Sequence, residues 1–171
     1  RLHDSGVPAI ALTDTANMFG GKAFSKYASD EGVKPILGCQ FYLRNPDADD
    51  VLKAKGRIIE PDKIILLVQN AVGYDNIMHL MKLSYLDNPQ SNEKPQLKIA
   101  DLKKYQEGLI ALTGGVEGQV GRLLLENRRA EAEETLKQLH QIFGNRLYME
   151  ISRIGLEEER RTEDTFIDWA Y

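Results

Sequence analysis

The sequence predicts an α/β protein built on a mainly parallel sheet, and three observations carry that prediction. Five short runs rich in Ile, Leu and Val have strand length, at residues 9–13, 35–43, 63–69, 109–113 and 147–152. Stretches of helical character separate them, at residues 18–31, 74–86, 99–105, 119–126 and 129–143. The two kinds alternate, the pattern of βα units whose crossovers make successive strands run the same way.

The first run ends in Asp14-Thr15-Ala16-Asn17, a polar strand tip leading directly into a helix, where parallel α/β proteins keep their chemistry. The helix at 129–143 is the clearest: Ala132, Leu136, Leu139 and Phe143 recur at helical spacing, acids fill its first turns and Gly144-Asn145 ends it. Residues 45–60, with Asn45-Pro46-Asp47 and Asp49-Asp50, read as a polar loop, and 87–96 as a second polar insert with two prolines. Neither is a domain linker, because βα units continue beyond each, so residues 1–171 read as one domain. Residues 1–6 read as the frayed end of a helix closed by Gly6, and both abrupt ends suggest an excerpt from a longer chain.

With 171 residues, 42% hydrophobic and 28% charged, the chain is long enough for a substantial core and ordinary for a soluble globular protein. A net charge of −4 argues against this segment holding a nucleic-acid backbone alone. The single cysteine, Cys39, permits no internal disulfide, which points to a reducing, cytoplasmic setting. No run of about 18 apolar residues is present to span a membrane.

Strand tips are the candidate functional face: Asp14-Thr15, Cys39-Gln40, Gln69-Asn70, Gly114-Gly115 and Ser152-Arg153. Such a set can hydrogen-bond but makes a poor divalent-metal cage, which wants His, Cys or carboxylate in multiples. The simplest role for Asp14 and Asn17 is capping the next helix. His3, His79 and His140 fall on predicted helices, far apart, and suggest no catalytic triad. The turn from Gly114 to Gly121 follows a strand and opens a helix, but it is not G-x-G-x-x-G, and Glu117 would oppose an anion. Close helix–strand packing and positive-φ turns are the better reading. Cys39 reads as a small buried hydrophobe, and Arg128-Arg129 and Arg160-Arg161 as solvated helix faces.

Five blocks, taken together and in order, carry a resemblance. They are Gly6-Val7-Pro8-Ala9-Ile10-Ala11-Leu12-Thr13-Asp14-Thr15-Ala16-Asn17-Met18-Phe19-Gly20, Gly32-Val33-Lys34-Pro35-Ile36-Leu37-Gly38, Gly73-Tyr74-Asp75-Asn76-Ile77, Glu107-Gly108-Leu109-Ile110-Ala111-Leu112-Thr113-Gly114-Gly115 and Leu147-Tyr148-Met149-Glu150. Nearly the whole chain resembles the PHP (polymerase and histidinol phosphatase) domain found at the N-terminus of bacterial replicative DNA polymerase III alpha subunits. The resemblance implies a distorted, TIM-like βα barrel of about seven strands. Residues 1–171 would then be a single PHP domain fragment without the first strand, with its His-x-His ligands, and without the closing strands.

Metal-competent members have Thr-Asp-His where this chain has Thr13-Asp14-Thr15, and the Glu of their Gly-Cys-Glu block becomes Gln40. The histidine opening their next strand falls at Lys63, and the cysteine of their Ser-Gly-Cys block becomes Gly115. The resemblance thus implies a vestigial metal site at Thr15, Gln40, Lys63 and Gly115, with no catalytic, metal-binding or cofactor-binding residue left in the segment. Asp14, Asn17 and Glu150 would remain as a polar cleft. It further implies a non-catalytic scaffold that stabilises the rest of the polymerase alpha chain and docks the proofreading exonuclease subunit. The Mg²⁺ and the DNA of chromosomal replication would belong to the parent polymerase outside these residues. Two alternatives stand beside this reading: an active metal-dependent phosphoesterase or 3′–5′ exonuclease using Asp14 and Glu150, and a stand-alone phosphate- or nucleotide-binding protein using the Gly114 turn.

Overall fold

A computed structural model of the chain describes residues 6–45, 60–86 and 94–171. The helix end expected at residues 1–5, His3 and most of both polar loops lie outside the described residues. The elements in chain order are β1 (Ala9–Leu12), α1 (Gly21–Asp30), β2 (Lys34–Leu43), β3 (Asp62–Val68), α2 (Ala71–Leu86), β4 (Gln96–Leu97) and α3 (Ile99–Lys104). There follow β5 (Leu109–Leu112), a 3₁₀ turn (Gly115–Glu117), α4 (Gln119–Leu125), α5 (Arg129–Phe143), a second 3₁₀ turn (Gly144–Arg146), β6 (Leu147–Tyr148) and α6 (Glu157–Ala170).

The sheet runs in the order β1-β2-β3-β5-β6, with β4 also paired to β2, and its path is not closed. β1 and β4 lie parallel to β2, and β6 lies parallel to β5. β3 alone is antiparallel to its neighbours, β2 and β5. Five of the six described strands therefore run one way, as a partial βα barrel requires.

The reversal of β3 corrects one expectation. Gln69-Asn70 is not at the functional face; it sits at the opposite end of the sheet, where the Asn70 side chain accepts the Gly73 amide at the start of α2 (3.0 Å). The N-terminal end of β3, Asp62-Lys63, takes its place on the face where the other strands end. Three further differences concern extents. β6 covers only Leu147–Tyr148, β4 forms at the edge of the second polar insert, and α6 is a helix that the apolar pattern alone did not reveal.

Strand alternation divides the sheet into two faces. Cys39, Phe41, Leu43, Ile64, Leu66, Leu109 and Ala111 point to one side and form a continuous buried core with Ile77, Leu80, Leu102, Val120, Leu139, Phe143 and Phe166 from the helices. Cys39 is fully buried there, as its flanking strand residues suggested. The opposite face carries Gly38, Gln40, Lys63, Ile65 and Leu112, which the register places side by side.

Asp62 belongs to the helix-covered side and is 2% exposed. Burial of a carboxylate there is tolerated because Arg122, on α4, reaches it through Nε (2.7 Å) and Nη2 (3.2 Å), while Nη2 also donates to the Asn45 side chain. Desolvation works against the Arg122 charge, but the bonds to Asp62 and Glu126 outweigh it and hold the guanidinium firmly protonated. Glu159 does similar work for α6: its carboxylate accepts the amides of Ile154, Gly155 and Leu156 (3.0–3.1 Å), fixing the chain as it enters the helix. Replacing Arg122 by Ala removes the cation that faces the buried Asp62 carboxylate, so chemical denaturation of Arg122→Ala should show a loss of about 3 kcal/mol.

Candidate functional site

The rim is assembled by the tips of β1, β2 and β5 and the start of β3. Beyond β1 the pairing continues as an isolated parallel bridge between Thr15 and Gln40. The Gln40 amide N–H donates to the Asp14 carbonyl (3.1 Å), its carbonyl accepts from Ala16 N (2.8 Å), and its side-chain Nε2 donates to Thr15 Oγ1 (2.8 Å). Ala16 is buried in the left-handed region at φ 55°, an unusual state for a residue with a Cβ. The hydroxyl of Tyr85, from α2, donates to its carbonyl (2.8 Å). Asn17 donates to the Thr15 carbonyl (3.0 Å) and accepts the Phe19 amide (3.2 Å).

Asn17 thus organises the loop rather than capping the next helix. α1 starts later than expected, at Gly21, and its N-cap Gly20 has no side-chain capping bond. Cys39 lies behind this tip. Burial pushes its thiol up to about 12, against the opposing amides of Asn17 and Ala16, which removes it as a nucleophile at neutral pH.

Lys63 opens the other half of the rim. Its ammonium meets Glu117 Oε1 at 2.5 Å, joining the start of β3 to the 3₁₀ turn after β5. The turn passes over Lys63 with no room to spare: a Cβ at Gly114 (φ 79°) would lie 2.4 Å from the Lys63 carbonyl oxygen, and one at Gly118 would lie 1.8 Å from the Thr113 carbonyl oxygen. These glycines allow backbone to approach backbone. The turn is a packing device, and α4, seven residues long, begins behind it.

Glu150 sits past β6, its amide bound to Thr113 Oγ1 (3.1 Å). Burial raises its carboxyl pKa; the Gly114 amide opposes that shift and the nearby Glu117 charge adds to it. Its Oε2 is buried without a hydrogen-bond partner among the described residues. The adjoining cleft, bordered by Gly115, Val116, Ser152 and Thr162, encloses about 10 Å³, room for one water molecule and not for a nucleotide.

Thr15 and Gln40 therefore touch, and Lys63 and Gly114-Gly115 are neighbours one strand further along. Asp14 and Asn17 stay with the β1 tip while Glu150 stays beyond β6, and no hydrogen bond or ion pair among the described residues joins them. His79 and His140 lie exposed on α2 and α5; the His79 ring stacks on Tyr105 at 5.3 Å. The arginine pairs occupy helix faces, Arg128 between Glu126 and Glu131 and Arg161 on the Leu125 carbonyl. The partnership of Glu117 with Lys63 and that of Asp62 with Arg122 were not foreseen. Only a lone charged pair at the head of an apolar strand hinted at them.

The family model described as PHP domain matches residues 1–154. The chain belongs to the PHP domain family. It is similar to the DNA polymerase III subunit alpha of Caulobacter vibrioides, at 37% identity over 98% of this chain. It is also similar to the proteins of that name from Treponema pallidum, at 35% over 96%, and Borreliella burgdorferi, at 32% over 94%. The chain spans 14% of the length of each of these relatives.

The resemblance implied a vestigial metal site, and the donor set of the rim bears on it. It offers a hydroxyl, a carboxamide and an ammonium, all engaged, and no thiol at Gly115. Among the described residues no group of three or more His, Cys, Asp or Glu is placed to hold an ion. The described rim side chains do not fit a metal.

Glu150 gives the PHP rim a pH signature. Because its folded pKa is raised, the folded state holds its proton more tightly than the unfolded chain does. The stability this supplies is complete below the ordinary value of 4.5 and lost as pH climbs through the raised value. Thermal melts of the parent and Glu150→Gln should therefore diverge in favour of the variant between pH 4.5 and neutrality. Parallel curves would exclude the effect.

Proposed function

We propose that this chain is the N-terminal PHP domain of a replicative DNA polymerase III alpha subunit and that it serves there as a non-catalytic scaffold. Similarity to alpha subunits over nearly the whole chain supports the first half. One observation supports the second: side chains at the strand-tip rim are bonded to one another, Thr15 to Gln40 and Lys63 to Glu117, and among the described residues no group of three or more His, Cys, Asp or Glu is placed to hold a metal. On this reading Thr15, Gln40, Lys63 and Gly115 occupy former ligand positions, and Asp14, Asn17 and Glu150 are residual polarity.

The parent chain would work in the cytoplasm, where template-directed nucleotidyl transfer with Mg²⁺ takes place in its other domains. With a net charge of −4, this domain contributes little to holding DNA. Its partners would be the remainder of the alpha chain and a proofreading exonuclease subunit, the latter docked through exposed helices or the two polar loops rather than through the rim.

The full-length protein tests this directly. Metal analysis after gel filtration should find far less than one Zn²⁺ or Mn²⁺ per chain attributable to this domain. Assays with Mn²⁺ should show no phosphoesterase or 3′–5′ exonuclease turnover from it. The exonuclease subunit should co-elute with the parent and with Lys63→Ala alike. Stoichiometric metal with nuclease turnover that Asp14→Asn abolishes would establish the active-enzyme alternative instead.

A further inference from the structure

The two rim contacts have more in common than the absence of free ligands. Gln40 Nε2 to Thr15 Oγ1 (2.8 Å) closes the β1 tip onto β2 across 25 residues of sequence, where the backbone pairing has thinned to one bridge. Lys63 to Glu117 (2.5 Å) closes the turn after β5 onto the start of β3 across 54 residues. Each contact joins a strand to a loop that follows a different strand. Each is also charge-balanced, a neutral pair in one case and an ammonium–carboxylate pair in the other. A bound cation does two things at a strand-tip rim: it ties several loops together and it supplies positive charge.

We infer that these two pairs form a metal-independent latch, in which side-chain bonds tie the loops and Lys63 provides the cation. Lys63 is only partly exposed and stands on the sheet face opposite the core, level with Tyr42 and beside Gly114. A divalent ion arriving there would meet a fixed ammonium, whose charge opposes it. The latch is also positioned to matter locally. Ala16 donates its amide to the Gln40 carbonyl while held at φ 55°, so loosening Gln40 removes one of the bonds that maintain a strained residue.

Peptide-resolved hydrogen exchange on the full-length protein tests the inference without reading any activity, so it can fail while the scaffold reading stands, or survive if that reading fails. Thr15→Val and Gln40→Met should each accelerate exchange across residues 13–20 by about two- to tenfold, the worth of one hydrogen bond. The double variant should add little to either, because both remove the same bond. Lys63→Met and Glu117→Gln should behave likewise across residues 113–121, by about two- to fivefold because Glu117 is solvent-exposed. Residues 129–143 serve as the internal control for folding. Zn²⁺ or Mn²⁺ added to the parent protein, or a chelator, should change neither segment. Unchanged exchange in the single variants, multiplicative effects in the doubles, or metal-induced protection of either segment would overturn the latch. If a variant fails to fold, the metal titration of the parent still decides.

Discussion

Arg122 reaches across from α4 to the buried carboxylate of Asp62, and the geometry of the rim follows from that contact. Asp62 is the first residue of β3, and strand alternation puts its neighbour Lys63 on the opposite face. Once Arg122 fixes Asp62 on the helix side, the Lys63 ammonium is delivered to the open side, where the 3₁₀ turn presents Glu117. The two ion pairs are two ends of one constraint, one desolvated and one at the surface. Their energies differ accordingly. A pair with one partner in the core is expensive to break, because the survivor keeps its desolvation cost, whereas an exposed pair contributes about 1 kcal/mol or less. The deep pair sets the position of β3, and the shallow one uses that position.

The same arrangement supports the scaffold reading of the rim. General acid–base catalysis needs two titratable groups whose environments separate their pKa values and a space between them for substrate. Glu150 has the shifted environment, but Glu117, whose charge acts on it, is already committed to Lys63, and the space beside Glu150 is about that of one water. Cys39, the one thiol, is buried and pushed further from ionisation. Glu117 is thus neutralised by a neighbour, and Cys39 by burial.

How much of this could be read from the sequence depends on the range of the interaction concerned. Strands such as Ala9–Leu12 and Lys34–Leu43 announce themselves through local apolar runs, and the α5 stripe of Ala132, Leu139 and Phe143 does the same at helical spacing. The direction of β3 does not, because an apolar run reads the same in a parallel and an antiparallel ladder. The α6 segment hid for another reason: between Glu157 and Ala170 its acids and arginines outnumber its apolar residues, and only Phe166 and Trp169 pack it on the core as large apolar side chains. At the site, residue identities were legible and their partners were not. Nothing local links Gln40 to Thr15 or Lys63 to Glu117; both pairs exist because separate strands come into register. The expectation that Asn17 caps a helix failed because the loop runs on to Gly20, so the side chain bonds the loop's own amide instead.

Ala16 shows what holding such a rim requires. A left-handed, non-glycine residue costs on the order of 1 kcal/mol and persists only where its surroundings over-determine it. Here its amide is bound to Gln40, its carbonyl to Tyr85, and its two neighbours are tied by Gln40 Nε2 and the Asn17 side chain. Those partners come from β2, α2 and the loop itself, so the conformation of the β1 tip is a property of the assembled sheet and helix layer. A tip held in this way needs no ligand to stay in place. That is the physical condition under which a catalytic rim can lose its chemistry while the domain keeps its shape, leaving the outer helices free to take up binding roles without disturbing it.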